Sequence, residues 1–138
     1  MPLTKPEDIK HLLEATKTVA VVGYSDKPDR PSNEITLALI KAGYDVYPVN
    51  PILESTDELR IYPSLADIPV RLDVVDIFRK SDAVPEVVEE AIAVGAKAVW
   101  MQLGIINDEA ARRAEEAGLQ VVMDHCIKVE NRRLLHKP

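Results

Sequence analysis

The sequence predicts an α/β fold: a doubly wound parallel sheet in three layers, with helices on both faces, in a single domain. Apolar runs of strand length alternate with amphipathic segments of helix length, and Gly43, Gly95 and Gly118 end three of those segments. Residues 19–22 are continuously apolar, as expected for a parallel strand buried on both faces. The length of 138 residues fits one domain, to which we assign residues 1–138.

Composition and charge narrow the class of partner. The chain has 46% hydrophobic and 29% charged residues, an ordinary globular mixture. Its net charge of −6 gives no general attraction for nucleic acid or an anionic membrane, and 4% aromatic residues are too few for a base-stacking surface. We therefore expect no nucleic acid and no membrane partner, and any positive charge for an anionic ligand must be local.

The single cysteine, Cys126, allows no intrachain disulfide, which is typical of a reducing cytosol. The sequence has no signal peptide after Met1, and no apolar run approaches the roughly 20 residues of a membrane span. We therefore expect a cytoplasmic location. Zinc-protease, nucleophile-elbow and P-loop signatures and Cys/His metal spacings do not occur, so we predict no catalytic residue and no metal ligand.

The N-terminal residues 1–16 predict a packing helix ahead of the first strand. Thr4 and Glu7 have the spacing of a capping box, with Pro6 in the first turn. Apolar residues then recur on one helical face at Ile9, Leu12 and Leu13.

Residues 18–42 predict the site around which the chain is organised. Gly23 ends the first strand, a polar loop follows, and Ser32 stands where the N-cap of the next helix is expected. Free N–H groups and the positive end of the helix dipole would face this loop, as in a phosphate-binding site. The alternative interpretation of Gly23 is a tight strand–helix turn, which is common in α/β folds.

The second strand, within residues 44–51, counts against a nicotinamide cofactor. Its end carries Asn50 and Pro51, where such folds place an acid that binds the ribose hydroxyls. The first loop has one glycine where the dinucleotide fingerprint has three. An NAD-type oxidoreductase or a sugar-nucleotide enzyme is therefore the weakest of the functions considered.

The rest of the chain repeats the strand–helix alternation. The further predicted strands are a short edge strand, Ile61-Tyr62, ended by Pro63, and residues 73–79, 96–102 and 119–123. The further predicted helices are capped by Ser81 or Asp82, with Pro85 in the first turn, and by Asn107. Residues 127–135 of the tail 127–138 predict a short basic helix with solvated charges. The strand order 3-2-1-4-5-6 of a Rossmann-like fold follows, with Ile61-Tyr62 as the third strand.

Ligands of such sheets bind at the carboxyl ends of the strands. We therefore expect one crevice to be lined by five stretches, at residues 23–25, 50–51, 78–79, 102–104 and 124–126. Arg79 could pair with a phosphate or with an acid such as Asp76. Trp100 is expected in the core or at an interface. His125 could be structural or functional. Cys126 fits a small buried apolar residue, with a reactive thiol at a strand end as the alternative.

The strand ends and their flanks carry motifs that match one family. In order, the motifs are Val-Val-Gly-Tyr-Ser at 21–25, Arg-Pro-Ser at 30–32, Pro-Val-Asn-Pro at 48–51, Tyr-Pro-Ser-Leu at 62–65, Asp-Ile-Phe-Arg at 76–79, Ala-Val-Trp-Met-Gln-Leu-Gly at 98–104 and Met-Asp-His-Cys-Ile-Lys-Val-Glu at 123–130. Together they resemble the small stand-alone CoA-binding proteins. These proteins are similar to the CoA-binding domain of the succinyl-CoA synthetase alpha subunit and of ADP-forming acyl-CoA synthetases. The resemblance extends over residues 17–133.

This resemblance implies a coenzyme A site with three parts. The phosphates would lie beside Gly23, Tyr24, Ser25, Arg30 and Ser32. The adenosine would lie beside Asn50, Pro51, Phe78 and Arg79. The pantetheine arm would run along 102–104 and 124–126, which include Gln102, Gly104, His125 and Cys126.

The synthetases in this comparison also use a phosphohistidine in a second domain and a partner subunit that grasps nucleotide. Neither His11, His125 nor His136 matches the phosphorylated position, so the resemblance does not carry over the synthetase reaction. We expect a protein that binds coenzyme A or acyl-CoA without catalysis of its own. The alternative is a CoA-binding subunit that acts with a separate catalytic chain. A homodimer and a synthetase partner chain are both open, and an apolar edge strand or Trp100 could support a dimer.

Overall fold

A computed structural model describes residues 1–135; the last three residues of the predicted tail, His136 among them, lie outside the described residues. The strands are β1 (Thr18–Val22), β2 (Asp45–Val49), β3 (Val74–Ile77), β4 (Ala98–Met101) and β5 (Gln120–Met123). The helices are α1 (Pro6–Glu14), α2 (Pro31–Lys41), α3 (Val84–Ala93), α4 (Asp108–Glu116) and α5 (Ile127–Leu135). Short 3-10 helices cover Leu65–Asp67 and Ser81–Ala83. This confirms the predicted alternation of strands and helices.

The five strands form one parallel sheet in the order β2-β1-β3-β4-β5. The predicted strand Ile61-Tyr62 is reduced to a single parallel bridge between Tyr62 and Val49 at the β2 edge. Pro63 is the next residue and has no N–H with which to extend the hydrogen-bond ladder, so the strand is limited to this one bridge. With this bridge in third place, the order agrees with the predicted 3-2-1-4-5-6.

Helices cover both faces of the sheet, which confirms the Rossmann-like, three-layer prediction. Helices α3 and α4 pack on one face against a cluster that includes Val75 and Val99. Helices α1, α2 and α5 pack on the other face against Val21 and Trp100, among others. The Trp100 side chain is fully buried there, so Trp100 belongs to the core and cannot support a dimer interface.

Three of the four predicted N-caps are wrong, and the cause is shared. The N-cap residues of α1, α2 and α3 are Lys5, Arg30 and Ala83, and none of them makes a side-chain capping hydrogen bond. The predicted caps were Thr4, Ser32 and Ser81 or Asp82. Each of these helices has a proline in its first two positions, and proline starts a helix with its fixed φ and without an N–H to cap. The fourth prediction is confirmed, because the Asn107 side chain accepts from the Ala110 N–H.

Helix α5 is part of the packed fold, although the sequence predicted a tail with solvated charges. Glu130 and Asn131 on this helix are buried. The Asn131 Oδ1 accepts from the Tyr44 hydroxyl at 2.6 Å, which ties α5 to the segment ahead of β2. Within residues 1–135, no helix is long and apolar enough to cross a membrane. The cytoplasmic location stays a prediction.

Candidate functional site

The register of the sheet brings the predicted strand ends together. The last residues of neighbouring strands are paired: Val49 with Val22, Val22 with Ile77, Ile77 with Met101, and Met101 with Met123. The residues that follow therefore leave the sheet in one row: Asn50, Gly23, Phe78, Gln102 and Asp124. This confirms that the five predicted stretches meet at the carboxyl edge of the sheet.

A cavity of about 290 Å³ lies between the end of β1 and the start of α2; we call it the helix-mouth cavity. Its lining residues are Gly23, Ser25, Arg30, Pro31, Ser32, Phe78, Arg79 and Ile105. The side chains of Arg30 and Arg79 are exposed and make no hydrogen bond or ion pair with a described residue. Two unpaired guanidinium groups thus supply local positive charge in a chain of net charge −6.

The amide groups of the β1–α2 loop are mostly used within the protein. The N–H groups of Gly23 and Tyr24 both donate to Val49 O at 3.2 Å, and the Ser25 N–H donates to Ser32 Oγ at 3.0 Å. Ser32 is the second residue of α2, and its own N–H makes no hydrogen bond with a described residue. The sequence predicted free N–H groups at the start of α2 facing this loop. The Ser32 N–H is free, whereas the N–H groups of Asn33 and Glu34 both donate to Arg30 O, at 3.0 and 3.2 Å.

The requirement for glycine at position 23 has a structural explanation that involves no ligand. Its φ is +89°, and a Cβ placed on it would lie 2.3 Å from the backbone oxygen of Phe78. Only glycine permits this approach of the β3 end to the β1 end. The tight-turn interpretation of Gly23 is thus sufficient to explain the residue, and a ligand contact through its backbone remains a prediction.

A network behind the cavity fixes the loop. The Tyr24 ring is buried, and its hydroxyl accepts from Asn33 Nδ2 at 3.2 Å. Asn33 also donates to Ser25 O at 3.1 Å, and Asn50 Nδ2 donates to Tyr24 O at 2.8 Å. Tyr24 therefore supports the loop from behind the cavity, and Asn50 fixes the loop through the Tyr24 carbonyl. The sequence reasoning missed Asn33, although this polar residue directly follows Ser32 in the first turn of the predicted helix.

A second cavity, of about 410 Å³, adjoins the first; we call it the β2-side cavity. It shares Gly23 and Arg79 with the helix-mouth cavity, and its other lining residues are Val22, Val49, Asn50, Pro51, Ile52, Pro63, Ser64, Glu86, Val87 and Glu90. Burial raises the pKa of Glu90 and repulsion from Glu86 adds to this effect, while Arg79 opposes it. The sequence reasoning missed both glutamates, because it used only the apolar positions of α3.

The end of β4 is held by its own hydrogen bonds. Gln102 is buried, and its Oε1 accepts from the Ile127 N–H at 3.0 Å at the start of α5. The Gly104 N–H donates to Asp124 Oδ1 at 2.7 Å. Neither Gln102 nor Gly104 lines the two cavities, although Ile105 from the same loop does.

The polar groups of the residues that follow β5 also have partners within the protein. His125 Nδ1 lies 3.2 Å from Glu130 Oε1, and Arg133 donates to the other oxygen of this buried carboxylate at 2.8 Å. The Trp100 indole N–H donates to His125 O at 2.8 Å. Cys126 is half-buried against the α1/α2/α5 cluster. His125 and Cys126 do not line either cavity, so three of the five predicted stretches surround the two cavities and two stand beside them.

The alternative pairing of Arg79 with Asp76 is wrong. Asp76 is fully buried in β3, and neither of its carboxylate oxygens has a hydrogen-bond partner. Burial raises the pKa of this carboxyl well above its ordinary value. Arg79, which follows the strand, is exposed at the two cavities instead.

No group of three or more His, Cys, Asp or Glu side chains in residues 1–135 could hold a metal ion. A groove of about 520 Å³ runs between α3 and α4 and has none of the predicted site residues in its lining. Its position away from the strand ends leaves the two cavities at Gly23 as the candidate site.

Comparison with known proteins gives the family. A family model of the CoA binding domain matches residues 17–132. Uncharacterized protein YneT of Bacillus subtilis is 41% identical over 122 residues, 88% of this chain and 90% of that protein. The ADP-forming acetate–CoA ligase II of Archaeoglobus fulgidus is 32% identical over 117 residues, which are 82% of this chain and 17% of the ligase. A hypothetical protein from Pyrococcus horikoshii has a solved structure with a TM-score of 0.91 and 44% identity, covering 98% of this chain and 96% of that one.

These matches confirm the resemblance that the strand-end motifs indicated. The family model spans all five strands of the sheet and the loops that line both cavities. The chain belongs to the CoA-binding domain family.

Proposed function

We propose that this protein binds coenzyme A or acyl-CoA through the diphosphate at the helix-mouth cavity and has no catalytic activity of its own. The observation that carries the proposal is that Arg30 and Arg79, which both line the cavity, have guanidinium groups without a hydrogen-bond or ion-pair partner among the described residues. Arginine binds phosphate oxygens through two parallel N–H donors, which makes this pair suited to a diphosphate.

The helix end adds to this attraction. The Ser32 N–H is free, and the N-terminus of the 11-residue helix α2 carries partial positive charge toward the cavity. The net charge of −6 opposes non-specific binding of polyanions. The attraction for a phosphate ligand must therefore come from the local positive charge of Arg30 and Arg79. A compact ligand with two linked phosphates fits this arrangement better than an extended polyanion.

The remaining parts of the ligand would extend from Arg79 in two directions. The adenosine would enter the β2-side cavity between Pro51 and α3. The pantetheine arm would pass Ile105 along the Gln102 and His125 strand ends, with the thiol exposed or near Cys126. Those two strand ends would then contact the arm as a preformed surface, because their polar groups are already paired.

The alternative function is a CoA-binding subunit of an acyl-CoA synthetase that acts with a separate catalytic chain. It is supported by the Archaeoglobus ligase, 17% of which corresponds to this chain, since the rest of that enzyme must supply other functions. Purification of the protein from its source with a stoichiometric partner would favour this alternative. So would acyl-CoA turnover that appears only when that partner is added.

The test is titration calorimetry with CoA, NAD and ATP on the wild type, Arg79→Ala and Arg132→Ala. Arg132 is an exposed arginine on α5 away from both cavities, so its substitution changes the net charge equally. We expect CoA to bind more tightly than NAD or ATP, and Arg79→Ala to weaken CoA binding by at least about tenfold, the loss of one charged hydrogen-bonded contact. Arg132→Ala should bind as the wild type does. Equal affinity for the three ligands, or equal affinity of both variants for CoA, would contradict the proposal.

A further inference from the structure

The two cavities share a wall, so one ligand can occupy both. Gly23 and Arg79 line each of them, and their volumes are about 290 Å³ and 410 Å³. Their charges differ. The helix-mouth cavity adds Arg30 and the free Ser32 N–H, whereas the β2-side cavity adds two carboxylates, Glu86 and Glu90. The combined site therefore has a positive and a negative end, with Arg79 at the boundary.

The β2-side cavity has the lining of a site for an uncharged, flat group. Its lining includes apolar side chains from β1, β2 and α3, namely Val22, Val49 and Val87, and its loop side carries Pro51 and Pro63. Apart from Arg79 at the boundary, the charged groups that line it are the two glutamates. A phosphate placed here would be repelled by both carboxylates, because like charges a few ångströms apart raise each other's free energy.

Carboxylates accept hydrogen bonds and do not donate them when ionised. The part of the ligand beside Glu86 and Glu90 must therefore present N–H or O–H donors. In a nucleotide, such donors are the exocyclic amino group of an aminopurine and the ribose hydroxyls. The apolar part of the lining, with Val22, Val49 and Val87, fits the base better than the sugar, because a purine ring buries two faces and presents its amino group at one edge.

We propose that Glu86 and Glu90 select an aminopurine in the β2-side cavity and set the direction in which the ligand lies across Arg79. The amino group donates to the glutamates, and the phosphates lie toward Arg30 and Ser32. This inference rests on the proposed function and adds the base specificity to it. A 3′-phosphate on the ribose then points out of the β2-side cavity, away from the two carboxylates.

The raised pKa of Glu90 agrees with this arrangement. Burial and the neighbouring Glu86 disfavour its ionised form, and a bound amino group would favour that form again. A carbonyl oxygen in the same place, as in hypoxanthine, would face carboxylate oxygens, and hypoxanthine could donate to them only through its single ring N–H beside the carbonyl. The difference in affinity between a ligand with the amino group and one with the carbonyl therefore measures the contribution of the two glutamates.

The test compares CoA with its hypoxanthine analogue and its 2′-deoxy analogue by titration calorimetry. The proteins are the wild type, the double variant Glu86→Gln/Glu90→Gln, and the control Glu89→Gln. Glu89 lies on the same helix but pairs with Arg113 at 2.8 Å outside both cavities, so its substitution removes the same charge elsewhere. Glutamine has the size of glutamate, and thermal melts of each variant verify that the fold is kept.

We expect wild type and Glu89→Gln to bind CoA roughly tenfold or more tightly than the hypoxanthine analogue. In the double variant the ratio should fall below about threefold, because the glutamine amide can donate to the carbonyl. A wild-type ratio near one, an unchanged ratio in the double variant, or a larger loss with the 2′-deoxy analogue overturns the inference while CoA binding stands. Absence of CoA binding to the wild type overturns the proposed function, and the inference with it.

Discussion

The β1–α2 end of the sheet and the β4–β5 end look alike in sequence and differ in structure. Both lie at the carboxyl edge, and both combine a glycine with polar side chains. At the β1–α2 end, the side chains of Arg30 and Arg79 are unpaired. At the β4–β5 end, Gln102 binds the start of α5 and His125 is paired with Glu130. The difference teaches that strand-end position makes a residue a candidate, while unused hydrogen-bonding capacity distinguishes the end at which we propose that the ligand binds.

The glycines give the largest expected effect. Gly23 and Gly104 both have positive φ, +89° and +86°, so alanine is strained at either position. A Cβ on Gly23 would meet Phe78 O at 2.3 Å, whereas a Cβ on Gly104 has nothing within 4 Å. We expect Gly23→Ala to lower the free energy of unfolding by about 3 kcal/mol or more, from strain and overlap together. Gly104→Ala should cost about 1 kcal/mol, from the φ strain alone.

Chemical denaturation of both variants measures the two costs, and the same samples titrated with CoA report on the site. If the two substitutions destabilise the protein equally, the contact between the β1 and β3 ends does not require glycine. In that case Gly23 would be there for the ligand.

Asp76 tests whether an unpaired polar group always marks a ligand site. Its oxygens have no partner, yet it is fully buried and lines neither cavity. Its folded pKa is raised by burial, so the unfolded chain ionises first as the pH rises above about 4, and stability falls from there. Each unit between the two pKa values costs about 1.4 kcal/mol at a pH above both.

We therefore expect Asp76→Asn to be more stable than the wild type at pH 8 and nearly equal to it at pH 3.5. Asparagine has the same shape and cannot ionise, so the advantage should grow as the pH rises. Thermal melts at half-unit pH intervals measure it. A constant difference between the two proteins across this range would mean that Asp76 is paired in solution. CoA affinity should be unchanged at pH 7 if Asp76 is sealed from the site.

The sequence predicted the sheet, its order and the row of strand ends, because these depend on patterns that are local or periodic. The buried run at 19–22 and the glycines after the helices are such patterns. The N-caps before α1, α2 and α3 were missed, because proline took the first helical positions and moved each start away from the polar residue. Which polar groups are paired could not be predicted, since partners such as Gln102 and Ile127 are set by the fold and not by spacing.

The Gln102→Ala substitution tests the role of the β4–β5 end of the sheet, where the polar side chains are hydrogen-bonded within the protein. Gln102 is buried, and its removal leaves the Ile127 N–H without its acceptor. We expect a loss of about 1–2 kcal/mol in the free energy of unfolding, the cost of one unsatisfied buried group. The change in CoA affinity should be smaller than that of Arg79→Ala. Gln120→Ala is the control, because Gln120 is exposed on β5 and its side chain makes no hydrogen bond or ion pair with a described residue.

Urea denaturation and calorimetry on these two variants separate a scaffold from a binding surface. An affinity loss for Gln102→Ala as large as that for Arg79→Ala would place the pantetheine arm directly on the Gln102 amide. The paired end would then be a ligand surface as well as a scaffold, and the contrast with the β1–α2 end would disappear.

Ser32→Ala has the smallest expected effect, because most of what Ser32 offers the ligand is its backbone. The variant keeps the free N–H at the start of α2 and loses only the hydroxyl that accepts from the Ser25 N–H at 3.0 Å. Ser32 is not the N-cap, so the helix itself should lose no more than about 1 kcal/mol. We expect CoA affinity, measured by calorimetry, to fall about two- to fivefold as the loop loses this tie. If binding were abolished with the fold intact, the hydroxyl would have to contact the phosphate directly, and Ser25 would have to release it when the ligand binds.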